Sequence, residues 1–101
     1  MFKFLNKLRY AVRSPRWSKV RKEHLQKNPI CAVCGRSKKL EVHHINPVHL
    51  FPDSELDPSN LITLCADPCH LTFGHLMDFK SWNKDIIADS EVFLNKIKNR
   101  P

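Results

Sequence analysis

Four cysteines and six histidines give this sequence an unusual capacity to hold metal ions. The cysteines form two pairs, Cys31-x-x-Cys34 and Cys65-x-x-x-Cys69. Thiolates two or three residues apart on tight turns can share one ion, and zinc prefers four ligands in a tetrahedron. Gly35, directly after Cys34, supplies such a turn. The pairs therefore predict one structural Zn2+ site built from Cys31, Cys34, Cys65 and Cys69. Two disulfides or buried free thiols are the alternatives. Near the N-terminus, Lys3, Lys7 and Arg9 interrupt the apolar residues, so no secretory signal is expected. No apolar run approaches the length of a membrane span. The expected compartment is the reducing cytoplasm, where paired cysteines more often hold metal than form disulfides. Unligated thiols, for their part, need not come in pairs.

The histidines cluster in the segments between and after those pairs. Leu40-Glu-Val-His43-His44-Ile45 carries a doublet, and Cys69-His70 another candidate. Successive strand residues face opposite ways, so in a regular strand His43 and His44 suit two different roles better than one shared ion. His75 follows His70 by five residues. On an α-helix, residues four apart share a face more squarely than residues five apart. His75 is thus open between a third metal ligand, a phosphate contact and a surface residue. His24 and His49 are expected to be exposed. Trp17 and Trp82 are expected in the core, the commoner place for tryptophan in so small a fold.

The elements that must position these residues fall into three zones of one expected domain, 1–101. Zone 1–28 reads as helical. Phe4, Leu5, Leu8 and Val12 share one helical face, and Ser14-Pro15 offers a cap and first position for a second helix. That helix turns Trp17, Val20 and Leu25 inward and Lys19, Arg21, Lys22 and Lys27 outward, and ends at Asn28-Pro29. Zone 30–79 contains a strand at 40–45, a loop from Pro47 to Pro58, a second strand at 61–64, and a helix from Pro68 or Cys69 to about Phe79. Zone 80–101 predicts a covering helix capped at Asp89 or Ser90, with Val92, Phe93 and Ile97 inward.

Charge divides the chain unevenly. Residues 1–39 hold twelve Lys or Arg against a single acid, Glu23, whereas residues 40–101 hold five against nine acids. A basic third of this kind suits a polyanion such as the phosphate backbone. Arg16, Lys19, Arg21 and Lys22 before the first cysteine pair, with Arg36, Lys38 and Lys39 after it, are the candidate DNA-binding residues. Phosphate contacts carry no sequence information directly. No separate reading head accompanies them, so weak sequence preference is expected.

Taken together, His43-His44 at the end of the first strand, Asn60 opening the second and His70 on the helix beyond resemble the HNH endonucleases of the ββα-metal superfamily. The cysteine pairs are similar to those of its zinc-containing subset, and the resemblance spans about 15–75. It implies an α+β fold: a two-stranded antiparallel hairpin plus helix, flanked by basic N-terminal helices, a C-terminal helix and a structural zinc site. It also implies metal-dependent hydrolysis of DNA, leaving 5′-phosphate and 3′-hydroxyl ends. By the same resemblance His44 is the general base that activates water. His43 and His70 hold a divalent cation (Mg2+, Mn2+, Ni2+ or Zn2+), and Asn60 fixes the loop and orients the base. Double-stranded DNA is the implied partner, with no membrane, and a larger phage or mobile-element protein is a further candidate partner. A non-catalytic zinc-dependent DNA-binding or adaptor module is the alternative.

Overall fold

The computed structural model describes residues 13–101, so the expected first helix around Phe4, Leu5, Leu8 and Val12 lies outside the described residues. Helix α1 spans Trp17–Lys27. It begins later than the Ser14-Pro15 signal suggests. The Ser14 hydroxyl accepts from the Arg16 backbone N–H at 3.2 Å, and its carbonyl accepts from Trp17 at 2.9 Å. Ser14 thus closes a turn ahead of the helix instead of capping it. As expected, Trp17, Val20 and Leu25 are half-buried while Lys19, Arg21, Lys22 and Lys27 face solvent. His24, expected outside, is half-buried on the same inner face.

Strands β1 (Leu40–His44) and β2 (Leu61–Cys65) pair antiparallel, with His43 opposite Ile62 and His44 opposite Leu61. Val42 and His44 alternate with Glu41 and His43, so one ribbon presents two sets of side chains. The ladder runs on past β1 through Ile45 N–H to the Asn60 carbonyl, at 2.8 Å. The connection from Pro47 to Pro58 folds into short 3-10 turns at Pro52–Ser54 and Pro58–Asn60. The core is small: Cys31, Val33, Leu64, Cys65, Cys69 and Ile86 are its buried members.

The helix expected from Pro68 or Cys69 to about Phe79 is instead a single π-helical turn, His70–Gly74. His75 N–H reaches back five residues to the His70 carbonyl at 3.1 Å. The chain then leaves through Leu76 and Met77, both in the left-handed region (φ 55° and 72°), which ends any helix.

Helix α2, Ile86–Lys98, starts earlier than the Asp89 or Ser90 cap expected for it. The Asn83 side chain sets this start, accepting from Asp85 N–H at 2.9 Å and donating to the Asp89 carboxylate at 2.7 Å. The earlier start also moves the inward stripe. Ile86 and Ser90 are buried and Leu94 and Ile97 half-buried, whereas Val92 and Phe93 are exposed. Phe93 still covers Phe73, with ring centroids 5.1 Å apart. Among the described residues, no helix is long and apolar enough to cross a membrane.

Candidate metal centres and active site

The two cysteine turns meet at one end of the hairpin. Sulfurs of Cys31, Cys34, Cys65 and Cys69 all lie within 4.8 Å of one another, and all four are free thiols. Cys34 and Cys65 stand 3.7 Å apart. A zinc–sulfur bond of about 2.3 Å gives a tetrahedron with an edge of roughly 3.8 Å, so the Cys34–Cys65 spacing matches one edge of a zinc site. The first turn is closed by Gly35 (φ 79°), whose N–H donates to the Cys31 carbonyl at 2.9 Å. The extra residue of the second pair is absorbed in the turn at Ala66–Cys69. Arg36 Nη1 bridges the turns by donating to the Asp67 carbonyl at 3.1 Å.

The thiols cannot all ionise alone. Burial pushes Cys34 and Cys69 up, and neighbouring sulfurs add to this. For Cys31 burial also acts upward, but backbone N–H groups of Cys34, Cys65 and Val33 outweigh it and lower its pKa. The Cys31 thiolate is stabilised by the backbone, while Cys34 and Cys69 require a cation to ionise. That is the donor chemistry of a metal site.

At the other side of the hairpin, His43, His70 and His75 form a second cluster with ligating nitrogens within 4.8 Å. Their ring centroids make a nearly equilateral triangle of 5.0, 4.9 and 4.9 Å. The hydrogen bonds dictate which nitrogens are free. His70 Nδ1–H donates to the Glu41 carboxylate at 3.1 Å, and His75 Nδ1–H to the Ser81 carbonyl at 2.7 Å. Both Nε2 lone pairs are left facing each other at 3.2 Å. His43 Nε2 is buried without any partner. Burial, and then the proximity of His70, His75 and His44, hold His43 down to about 3, so it is a neutral imidazole. Lone pairs brought together, with the opposite ring nitrogens pinned to acceptors, fit a divalent cation.

The π turn is what brings His75 to this cluster. An α-helical turn sets residues five apart at an angle, whereas the i→i+5 bond stacks them. Gly74 makes room for the packing. A Cβ there would lie 3.1 Å from both His43 Cε1 and Leu64 Cδ1.

His44 has different partners, as the strand alternation requires. Its ring packs on Trp17 with centroids 4.6 Å apart, and its Nε2–H donates to the Glu55 carbonyl at 2.9 Å. The basic nitrogen is therefore Nδ1. Burial, with a further contribution from Arg13, lowers its pKa and outweighs the upward effect of the Glu55 contacts. Trp17 is thus a half-buried wall behind His44, not a core residue, and Trp82 is a half-buried residue lining the cleft.

Asn60 is 5% exposed, and its side chain hydrogen-bonds backbone groups. Its Oδ1 accepts from Asn46 N–H at 2.8 Å, and its Nδ2 donates to the Asn46 and Ser54 carbonyls, each at 3.1 Å. It pins the connection whose next carbonyl, Glu55, holds His44. The Glu55 carboxylate in turn accepts from Ser14 N–H at 2.8 Å.

His43, His44, His70 and His75 all line one cleft of about 260 Å³. Exposed His49 lines it too, as do Arg13 and Lys80. Arg16, Lys19, Arg21, Lys22, Arg36, Lys38 and Lys39 are exposed as expected, yet none of them lines this cleft. Sequence reasoning missed Glu41, although strand alternation puts it on the face of His43. It missed Glu55 because a backbone carbonyl leaves no side-chain signal. Arg13 was one cation among twelve.

Residues 31–75 match the family model of the HNH endonuclease. This segment is similar to an HNH domain. It contains both cysteine pairs, the histidine doublet, Asn60, His70 and His75, so the matched region and the two clusters coincide. No curated protein and no solved structure gives a significant match to the chain.

Proposed function

We propose that this protein is a metal-dependent endonuclease hydrolysing DNA phosphodiester bonds, with His44 as general base. The observation that carries the reading is one cleft holding a fixed, neutral imidazole beside three imidazoles with convergent free nitrogens. His44 is tied at Nε2 to Glu55, which leaves Nδ1 to accept a proton from water as it attacks phosphorus. An unperturbed imidazole already has the right pKa range for this step near neutral pH. Asn60 is a positioning residue, acting through the loop that carries the Ser54 and Glu55 carbonyls. Arg13 and Lys80 stand where a phosphodiester in the cleft needs positive charge.

His43, His70 and His75 would hold the divalent cation, and Glu41 and Ser81 would orient two of those rings. When bound, the cation supplies Lewis-acid relief of charge on the phosphate and leaving oxygen. Imidazole ligands suit Zn2+ or Ni2+ better than Mg2+ or Mn2+, which prefer oxygen ligands. Cys31, Cys34, Cys65 and Cys69 would hold a structural Zn2+, tying the end of the basic segment to the catalytic turn.

Plasmid cleavage by the purified protein tests this, with Mg2+, Mn2+, Ni2+, Zn2+ and EDTA arms beside His44→Ala. Metal-dependent nicking or linearisation is expected, falling by roughly 10²–10⁴-fold in the variant while duplex binding by anisotropy persists. Binding without cleavage in every metal would favour a non-catalytic DNA-binding module.

A further inference from the structure

Three large apolar side chains stand free beside the cleft. Leu76, Met77 and Phe79 are 52%, 67% and 68% exposed, directly after the turn that carries His70 and His75. Leu76 and Met77 both have positive φ, a conformation that non-glycine residues with large side chains rarely adopt. Two consecutive ones turn the chain outward at a cost the surroundings must support.

The projection is held firmly. Met77 N–H donates to the Leu71 carbonyl at 2.9 Å and Asp78 N–H to the His75 carbonyl at 3.1 Å. The Asp78 side chain accepts from Lys80 N–H at 2.9 Å, and its carbonyl from Ser81 N–H at 2.8 Å. Phe79 rests against the imidazoles of His75 and His70, with centroids at 5.0 and 6.2 Å, and lines the cleft next to Lys80. The apolar tip therefore has a fixed distance to the reacting centre. Cations stand beside the same cleft: Lys80 and Arg13 line it, and Lys84 lies 5.7 Å above the Trp82 ring.

Apolar side chains flanked by cations match one face of a nucleic acid, the groove edge with its stacked bases between phosphate rows. Proteins that press Phe, Leu or Met into a base step partly unstack it and kink the duplex. We propose that the 76–79 projection is a wedge that opens the DNA base step next to the scissile phosphate. The proposal rests on the nuclease reading and deepens it by naming the feature of DNA that guides cutting. Pyrimidine–purine steps unstack most easily. Cleavage should then concentrate at or beside TA and CA/TG steps without any hydrogen-bond reading of bases.

The test uses the full chain carrying His44→Ala, so that DNA is bound without being cut, and duplexes with 2-aminopurine at a TA step. Binding should raise 2-aminopurine fluorescence. Met77→Ser, at a residue outside the cleft lining, and Phe79→Ser should each abolish that rise while anisotropy still reports binding. In the His44 background, each should lower duplex cleavage roughly tenfold, the scale of one lost base contact, with less effect on a substrate already opened by a mismatch bubble. End mapping of wild-type cuts should show the pyrimidine–purine bias. Unchanged fluorescence on binding, or uniform cutting with the serine variants as active as wild type, would overturn the wedge and leave the nuclease reading intact. Vesicle binding lost on Met77→Ser, with DNA behaviour unaltered, would overturn it in favour of a lipid surface. Absence of both cleavage and DNA binding in the wild type would remove the wedge and the nuclease reading together.

Discussion

A buried imidazole with no hydrogen-bond partner is costly, and His43 is such a group at 3% exposure. Its cost is offset if the free nitrogen meets a cation, and it sets a pH dependence in the metal-free protein. The unfolded imidazole titrates near 6.5, whereas the folded one is held down to about 3. Below about 6.5 the unfolded chain therefore binds more protons than the native one. The stability from neutral His43 is complete above that pH and lost progressively as pH falls toward about 3. Urea titrations of metal-free protein between pH 7.5 and 5 should show stability falling on acidification, by up to about 1.4 kcal/mol per pH unit for this group. A flat profile would mean that His43 is not buried neutral. Gly74 guards the same ring. Gly74→Ala sets a methyl 3.1 Å from His43 and from fully buried Leu64, so neither neighbour yields easily. The expected outcome is a loss of about 1–3 kcal/mol of stability, with weaker cation binding by calorimetry. His43, His44, Asn60 and His70 were pointed to by the resemblance to the HNH endonucleases, through their order and type in the sequence. Gly74 gave no sign, because its importance is the closeness of two side chains that no spacing rule brings together.

Among the elements, the hairpin was the most legible and the turn after it the least. Alternation and the flanking cysteines placed β1 and β2 within a residue of their observed ends. The π turn defeated a reading based on 3.6-residue periodicity, and with it went the argument against His75. One extra residue in a turn leaves no compositional trace, but it decides whether two imidazoles meet or diverge. The C-terminal helix shows the same limit at its start. Asp89 and Ser90 are good capping types, yet Asn83 captures Asp89 from outside, and the helix forms three residues ahead of it. The cysteine cluster joins the ends of these elements and should govern their stability. Chelation of an ion held there would leave the raised thiols of Cys34 and Cys69 without a cation, so the hairpin would lose its clasp. Differential scanning calorimetry should show the transition temperature falling markedly on chelation and on Cys65→Ser, with Zn2+ restoring only the unmutated chain. If chelation leaves the transition in place, the cluster does not hold the fold through a metal.

Across the whole molecule, the cations fall into two sets that the basic third at 1–39 did not separate: Arg13 belongs to that third, whereas Lys80 lies far beyond it in the chain. Arg13 and Lys80 line the cleft, whereas Arg16, Lys19, Arg21 and Lys22 lie exposed on and beside α1, away from its lining. These sets should fail differently. Exposed cations that neutralise phosphates act through counterion release, so each lost contact lowers the salt slope of binding by about 0.9. Lys19→Gln, Arg21→Gln and Lys22→Gln combined should weaken duplex binding at low salt for every sequence and flatten that slope by up to about 3. Cleavage under saturating DNA should change far less, since none of the three touches the cleft. Arg13→Gln should do the reverse. It removes one charge from the overall field but takes it from beside His44 and the bound phosphate, lowering turnover at saturation more than affinity. Anisotropy titrations across salt concentrations, paired with single-turnover cleavage, separate the two effects. Equal losses of affinity and turnover in both variants would mean that α1 and the cleft form one continuous phosphate track.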